Sequence, residues 1–354
     1  FIQEFAKNRM MFHKGPFVQK QAPIILPTRD RNPIIEVKEL TKRFNGLTAV
    51  DGISFEVLEG ELFGFLGPNG AGKTTTISIL TGLARPDSGT IRISGLDCTK
   101  NPKLVQHLIG IVPDESNLYP ELSGFDNLCF CASLYGMPKR ERQTRARELL
   151  GTFGLAEAAN RKFAAYSKGM KRKLTIAAGI IHHPSVLFLD EPTTGIDVSS
   201  ARRIRQLIAE LHRSGTMIFL TTHYIEEAER LCDRIAFIVK GKIVNIDSVA
   251  NLLQPEQERK TLLIAVSKST NDLCGKLSTA FPSFQFRAIS TEQIQVETVN
   301  TISIGPLVRF IEEQGAEVIE ARRLRPSLEE VFVRVTGLEL DLMRKEKEKG
   351  GGSK

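Results

Sequence analysis

Cysteine is scarce in this chain, with five residues (Cys98, Cys129, Cys131, Cys232, Cys274), an odd number with no C-x-x-C pair. That excludes a disulfide framework and a closely spaced zinc site, and it fits a reducing cytosol. Also missing is any apolar run near the roughly 20 residues that a membrane-spanning helix needs. The first twenty residues lack the apolar core and small-residue cleavage site of a secretory signal. The chain is therefore expected not to cross a membrane itself.

The 354 residues, 41% hydrophobic and 25% charged, suffice for a full core and point to a globular protein of two domains. A formal net charge of +7 and a pI near 9.1 invite a nucleic-acid or membrane-surface partner. The densest basic run, Lys139 to Arg147, alternates sign and spacing as the solvated face of a helix does.

The chain is organised around Leu62 to Ile79, LFGFLGPNGAGKTTTISI. A buried strand (Leu62, Phe63, Phe65, Leu66) breaks into Gly67, Pro68, Asn69, Gly70, Ala71, Gly72, Lys73 and Thr74, the pattern G-x-x-x-x-G-K-[ST], with Thr75 opening a helix behind it. Glycines let backbone N–H groups close around phosphate oxygens, and the helix N-terminus adds positive potential. Lys73 supplies a mobile charge for the β- and γ-phosphates, and the Thr74 hydroxyl is placed to ligate Mg²⁺.

Around this loop the text alternates short apolar strands with helices. Val186 to Leu189 and Met217 to Leu220 read as strands buried on both faces, and Lys240-Gly241 as a hairpin turn. A mostly parallel, doubly wound sheet follows, with strands at 34–40, 53–57 and 90–94 beside it and a helical insert at about 115–180. Past Pro255 a β-α-β-β-α-β-α order predicts a small α+β module, closed by a capping box at Ser327 to Glu330. The expected divisions are an extended lead-in (1–33), the nucleotide domain (34–250), the accessory domain (258–338) and a charged tail (339–354). The chain opens on Phe1, so its natural start is expected to be missing or altered, and the Gly-Ser end reads as an appended sequence.

Four further features carry chemistry. Asp190 and Glu191 end a buried strand at the edge where parallel sheets bind ligands; Asp190 would hold Mg²⁺ through water, and Glu191 would polarise water toward the γ-phosphate. His223 ends another buried strand and should reach the same edge. Ser167 and Gly169 offer a hydroxyl and a bare backbone N–H at a helix N-terminus, an anion site. Phe44, in the polar stretch TKRFNG, either stacks on a purine or is an ordinary surface aromatic.

From Ile34 to Ile246 the chain resembles the ATP-binding subunits of ABC transporters. Gly67 to Thr74 is similar to that family's Walker A loop, Val186 to Asp190 to its Walker B strand, and Glu191 to its catalytic glutamate. Tyr166 to Met170 matches its signature sequence, Gly195 to Asp197 its D-loop, and His223 its switch histidine. Phe44 falls where the family stacks an aromatic on adenine. The signature reads YSKGM rather than LSGGQ, and with the ending RPSLEEVFVRVTG it resembles the type-2 exporter branch for drugs, antibiotics, polysaccharides or sodium. Asp114 stands where the family has its Q-loop glutamine, which would place its carboxylate near Mg²⁺.

The resemblance implies a P-loop NTPase core with an antiparallel β subdomain. It implies ATP and Mg²⁺ as ligands, and a homodimer that closes head to tail on ATP between Lys73 of one copy and Ser167 and Gly169 of the other. Transmembrane permease subunits would be partners at the cytoplasmic side of the membrane, met through the stretch from Asp114 to Leu134. No nucleic acid is expected; the rival is a non-transport ATPase of this class acting on nucleic acid or the ribosome.

Overall fold

The computed structural model describes residues 32–254, 260–267, 272–324 and 327–338. Apart from Asn32 and Pro33, the expected lead-in and tail lie outside the described residues.

The chain opens with a long hairpin, β1 (Pro33–Phe44) and β2 (Leu47–Leu58), before the central strand β3 (Leu62–Leu66) and helix α1 (Lys73–Leu80). Next come β4 (Ser88–Ile93), the two-residue β5 (Leu96–Asp97), α2 (Pro102–Leu108) and β6 (Ile109–Val112). The helical insert supplies α3 (Gly124–Leu134), α4 (Lys139–Thr152) and α5 (Lys168–Gly179). The chain then returns to the sheet as β7 (Val186–Asp190), α6 (Val198–Arg213), β8 (Met217–Thr222), α7 (Ile225–Leu231), β9 (Arg234–Val239), β10 (Lys242–Ser248) and α8 (Val249–Leu252). The last stretch gives β11 (Lys260–Val266), α9 (Leu273–Ala280), β12 (Gln285–Ser290), β13 (Gln293–Thr298), α10 (Ile304–Glu313), β14 (Val318–Leu324) and α11 (Leu328–Thr336).

Three sheets result. The central one runs β10-β9-β3-β8-β7-β6, parallel except for β10. Strands β3, β7 and β8 are buried along their whole length because both faces are covered, whereas β10 at the edge is only partly buried. Alternate side chains divide between two cores: Leu62, Leu66, Leu187, Leu189, Ile218 and Leu220 join the core shared with the helical insert and with α6, α7 and α11. Phe63, Phe65, Phe188 and Phe219 face the antiparallel sheet β2-β1-β4-β5 and join Phe55 there, with ring centroids 5.4–6.0 Å apart.

Two sequence expectations are corrected. Strands were expected at 34–40 and 53–57 with Phe44 in a polar stretch between them. They are instead one hairpin of twelve-residue strands, with Phe44 the last residue of β1, opposite Leu47. Register shifts between Val37 and Leu40, Leu40 and Lys42, and Lys42 and Arg43 break the period-two pattern that would have shown its length.

The third sheet, β12-β13-β11-β14, has its own core of Leu262, Ile264, Val266, Ile294 and Val296 under Leu277, Leu307 and Ile311. Helix α11, which the capping box at Ser327 and Glu330 opens as expected, does not pack there. Its Leu328, Val331 and Phe332 belong to the insert-side core of the central sheet, with Phe332 edge-on to Phe237 of β9 at 5.4 Å.

Candidate active site

The parallel register sets the site. Leu66 pairs with Thr222 and Asp190 with Thr221, so the carboxyl ends of β3, β8 and β7 emerge side by side. Their next residues, Gly67, His223 and Glu191, open onto one edge. Since β3 runs next to β9 on one side and β8 on the other, the loop after β3 lies at a topological switch point.

The loop from Gly67 turns into α1 through Gly72, at φ 106, where a Cβ would collide with the carbonyl of Ala49. That contact also sets the β1–β2 hairpin beside the loop. Phe44, 48% exposed, presents its ring near the hairpin tip with Lys42 Nζ 5.2 Å from the centroid. Lys73 is almost wholly buried: its Nζ donates to the carbonyls of Gly67 (2.7 Å) and Pro68 (3.1 Å) and lies 3.2 Å from Glu191 Oε1. Thr74 is exposed at the first turn of the helix.

Glu191 is held on every side. It is one of the few non-glycine residues in the left-handed region, at φ 47, a conformation costing about 1–3 kcal/mol that persists only where the surroundings impose it. Its N–H donates to the carbonyl and hydroxyl of Thr221, His223 Nδ1 lies 2.8 Å from Oε2, and Thr194 Oγ1 donates to the same oxygen at 3.1 Å. Burial alone would raise its pKa. The hydrogen bond from His223 and the charges of Lys73 and His223 outweigh it and hold the carboxyl below its ordinary range. Oε1 is buried without a hydrogen-bond donor of good geometry.

Asp190, 4% exposed, accepts the Thr221 hydroxyl through Oδ1. Among the described residues no three His, Cys, Asp or Glu cluster as metal ligands. This donor set suits a hard cation that keeps water and takes substrate phosphate oxygens as well, as Mg²⁺ does. Asp114 follows β6 and Pro113 and is exposed as a residue. Its carboxyl is nevertheless partly enclosed, and that burial raises its pKa, with Arg172 pulling it down and Asp190 and Glu191 adding to the rise.

Lys73, Glu191 and His223 are thus brought together within one chain. Ser167 and Gly169 are not part of that cluster. Ser167 caps α5, accepting from Met170 N at 3.3 Å, and Gly169 is glycine because a Cβ there would meet Ser200 Oγ at 2.6 Å. Asp197 likewise caps α6, accepting from Ser200 N. Two buried residues escaped the sequence reading. Glu227 of α7, which accepts from Thr193 Oγ1 at 2.9 Å, has its pKa raised by burial. Arg172 of α5 donates only to backbone carbonyls. The available signal was Arg172's spacing to Thr175, Ile176 and Gly179 on the buried helix face.

Fold and site together define a P-loop nucleoside triphosphatase. Residues 50–194 match the model of the ABC transporter family. The chain is 34% identical over 308 residues to the daunorubicin resistance ATP-binding protein DrrA3 of Streptomyces coeruleorubidus, covering 86% of this chain and 96% of that one. It is 42% identical over 219 residues to the linearmycin resistance ATP-binding protein LnrL of Bacillus subtilis strain 168, covering 62% and 70%. Among solved structures it resembles an ATP-binding subunit of an ABC transporter (30% identity, TM-score 0.57, 62% and 91% covered). It also resembles the cassette MJ0796 in a dimeric post-hydrolysis state with ADP and Pi (26%, TM-score 0.56, 61% and 98%). The chain belongs to the ABC transporter family, as an ATP-binding and ATP-hydrolysing subunit resembling the exporter branch. None of its described helices is long and apolar enough to cross a membrane.

Proposed function

We propose that two copies of the chain close head to tail around ATP and drive export through separate membrane subunits at the cytoplasmic face of the membrane. The observation that carries this reading is the separation within one chain. The charge-handling residues Lys73, Glu191 and His223 form one cluster, and the contacts of Ser167 and Gly169 lie instead with α5 and α6. A second copy is needed to bring a signature helix to the phosphates. The dimeric state of MJ0796 supports it.

In this reading Gly67, Pro68, Asn69, Gly70, Ala71, Gly72, Lys73, Thr74 and Thr75 surround the phosphates, and Phe44 stacks on adenine. Lys73 leaves Glu191 for the β- and γ-phosphates. Glu191 then takes a proton from the attacking water, and His223, at 2.8 Å, orients it. Thr74, Asp190 and Asp114 would hold Mg²⁺, whose chemistry is to neutralise charge on the β- and γ-oxygens. The cassette would span 34–250, with 258–338 as an accessory segment whose last helix, α11, returns to the cassette's core. The named relatives are linearmycin and daunorubicin resistance proteins, two different cargoes for similar ATPase subunits, so the ATPase subunit does not fix the cargo. The rival on nucleic acid or the ribosome gains no support from these relatives.

Mixing two inactive variants, Lys73→Ala and Ser167→Arg, tests the shared site. In a mixed dimer one site has both intact halves, so activity should return to about a quarter of wild type by two-fold symmetry. No recovery on mixing would contradict the head-to-tail arrangement.

A further inference from the structure

Arg172 lies in the second turn of α5, between Lys171 and Lys173, yet it is only 6% exposed. Its guanidinium reaches out of the helical insert into the edge of the central sheet. Nε donates to the carbonyl of Pro192 at 2.8 Å and one terminal nitrogen to the carbonyl of Asp190 at 2.6 Å. These two carbonyls flank Glu191, the residue held at φ 47. The other terminal nitrogen donates to the carbonyls of Pro113 and, at 3.0 Å, Asp114. One turn along α5, Thr175 Oγ1 bonds Ser116 Oγ at 2.8 Å and ties down the same segment.

The charges around Arg172 come from three sides: Asp114 after β6, Asp190 and Glu191 at the end of β7, and Glu227 on α7. It hydrogen-bonds none of their carboxylates. It therefore offsets their charge while leaving their oxygens to His223, Thr194, Thr221 and Thr193. Only a planar fork with several fixed donors can serve four carbonyls from two segments; an ammonium of similar reach cannot.

We infer that Arg172 is a positioning residue for ATP hydrolysis: it clamps the strained Glu191 turn and ties it, with the 113–116 segment, to the helix that carries Ser167. Movement of that helix, or of the 113–116 segment, then reaches the catalytic carboxylate directly.

The test compares Arg172→Met and Arg172→Lys with wild type in the full chain. It measures ATP affinity with a fluorescent ATP analogue, and kcat per bound nucleotide over a protein-concentration series that separates association from chemistry. Misplacing the carboxylate should lower kcat about 100-fold in Arg172→Met, with affinity within about threefold because the Lys73 loop is untouched. Arg172→Lys, which keeps the charge and loses the fork, should recover no more than about tenfold of it. Hydrogen exchange should quicken in the 186–197 peptide and stay unchanged in 62–80; general destabilisation would quicken both. If Arg172→Met does not fold, Arg172→Gln keeps two donors and carries the same comparison. Wild-type kcat in the folded variant, full rescue by Lys, or exchange quickened equally in both peptides would overturn the inference.

Discussion

The central sheet and the C-terminal sheet are built from similar strands but place their polar side chains differently. In the central sheet every residue of β3, β7 and β8 is buried, polar ones included. Reactive groups can leave such a sheet only at its strand ends, and there Lys73, Asp190, Glu191 and His223 meet. In β13 the burial alternates, with Ile294, Val296 and Thr298 inward and Gln293, Gln295 and Glu297 half-buried on the other face. Polarity is spread along that face, and no cluster of interacting acids and bases forms at a strand end among the described residues. Covering both faces of a sheet concentrates chemistry at its edge; covering one face disperses it.

The largest effect that would break this comparison is at Lys73. Lys73→Ala is expected to abolish detectable ATP hydrolysis and weaken ATP binding, since the β/γ-phosphate charge loses its partner. Turnover near wild type in a steady-state assay would remove the phosphate loop from the account.

Core substitutions sharpen the comparison next. Phe332→Ala should destabilise the nucleotide-binding unit by about 3–5 kcal/mol, because Phe332 is wholly buried against Phe237. Ile294→Ala, equally buried in the other core, should cost about 2–5 kcal/mol and leave ATP affinity unchanged. Thermal melts with and without ATP distinguish the two, because ATP raises only the transition it is linked to; a Phe332→Ala loss confined to a transition that ATP does not shift would place α11 outside the nucleotide-binding unit.

The smallest effect concerns Glu227. Its folded pKa is raised, so its contribution is full below its unfolded pKa and is lost as pH rises through the raised value. Glu227→Gln should therefore stabilise the protein at neutral pH by a few degrees in Tm, with the gain vanishing at low pH. Glu191 has the opposite sign: its depressed pKa gives stability present above the unfolded value and lost as pH falls through the folded one. A Glu227→Gln melt that tracks wild type from acid to neutral pH would show that the buried acid carries no such cost.

The edge chemistry was legible in the sequence because its signals are local. A glycine-rich turn after Leu66, an acid pair after Leu189 and a histidine after Thr222 each declare themselves within a few residues. Arg172 was not legible for a physical reason. Its neighbours Lys171 and Lys173 make the segment read as a solvated basic helix, and only the packing of α5 on the strand ends turns one of the three inward. What the sequence does not show of Gly169, besides the anion site it suggests, is that within the chain it makes room for Ser200. The docking of α11 depends on a partner, Phe237, nearly a hundred residues away, which no local pattern records. Phe44 does not look like a strand residue in the sequence because the bulges of β1 reverse its alternation.

The central claim is that one sheet edge both binds and hydrolyses ATP, with Glu191 serving hydrolysis alone. Glu191→Gln separates them, since the amide keeps the shape and the contact with His223 but cannot take a proton. Measured on the same preparation, its ATP affinity should stay within about threefold of wild type while kcat falls at least about 100-fold. A kcat close to wild type, or a loss of affinity that matches the loss of turnover, would contradict the account.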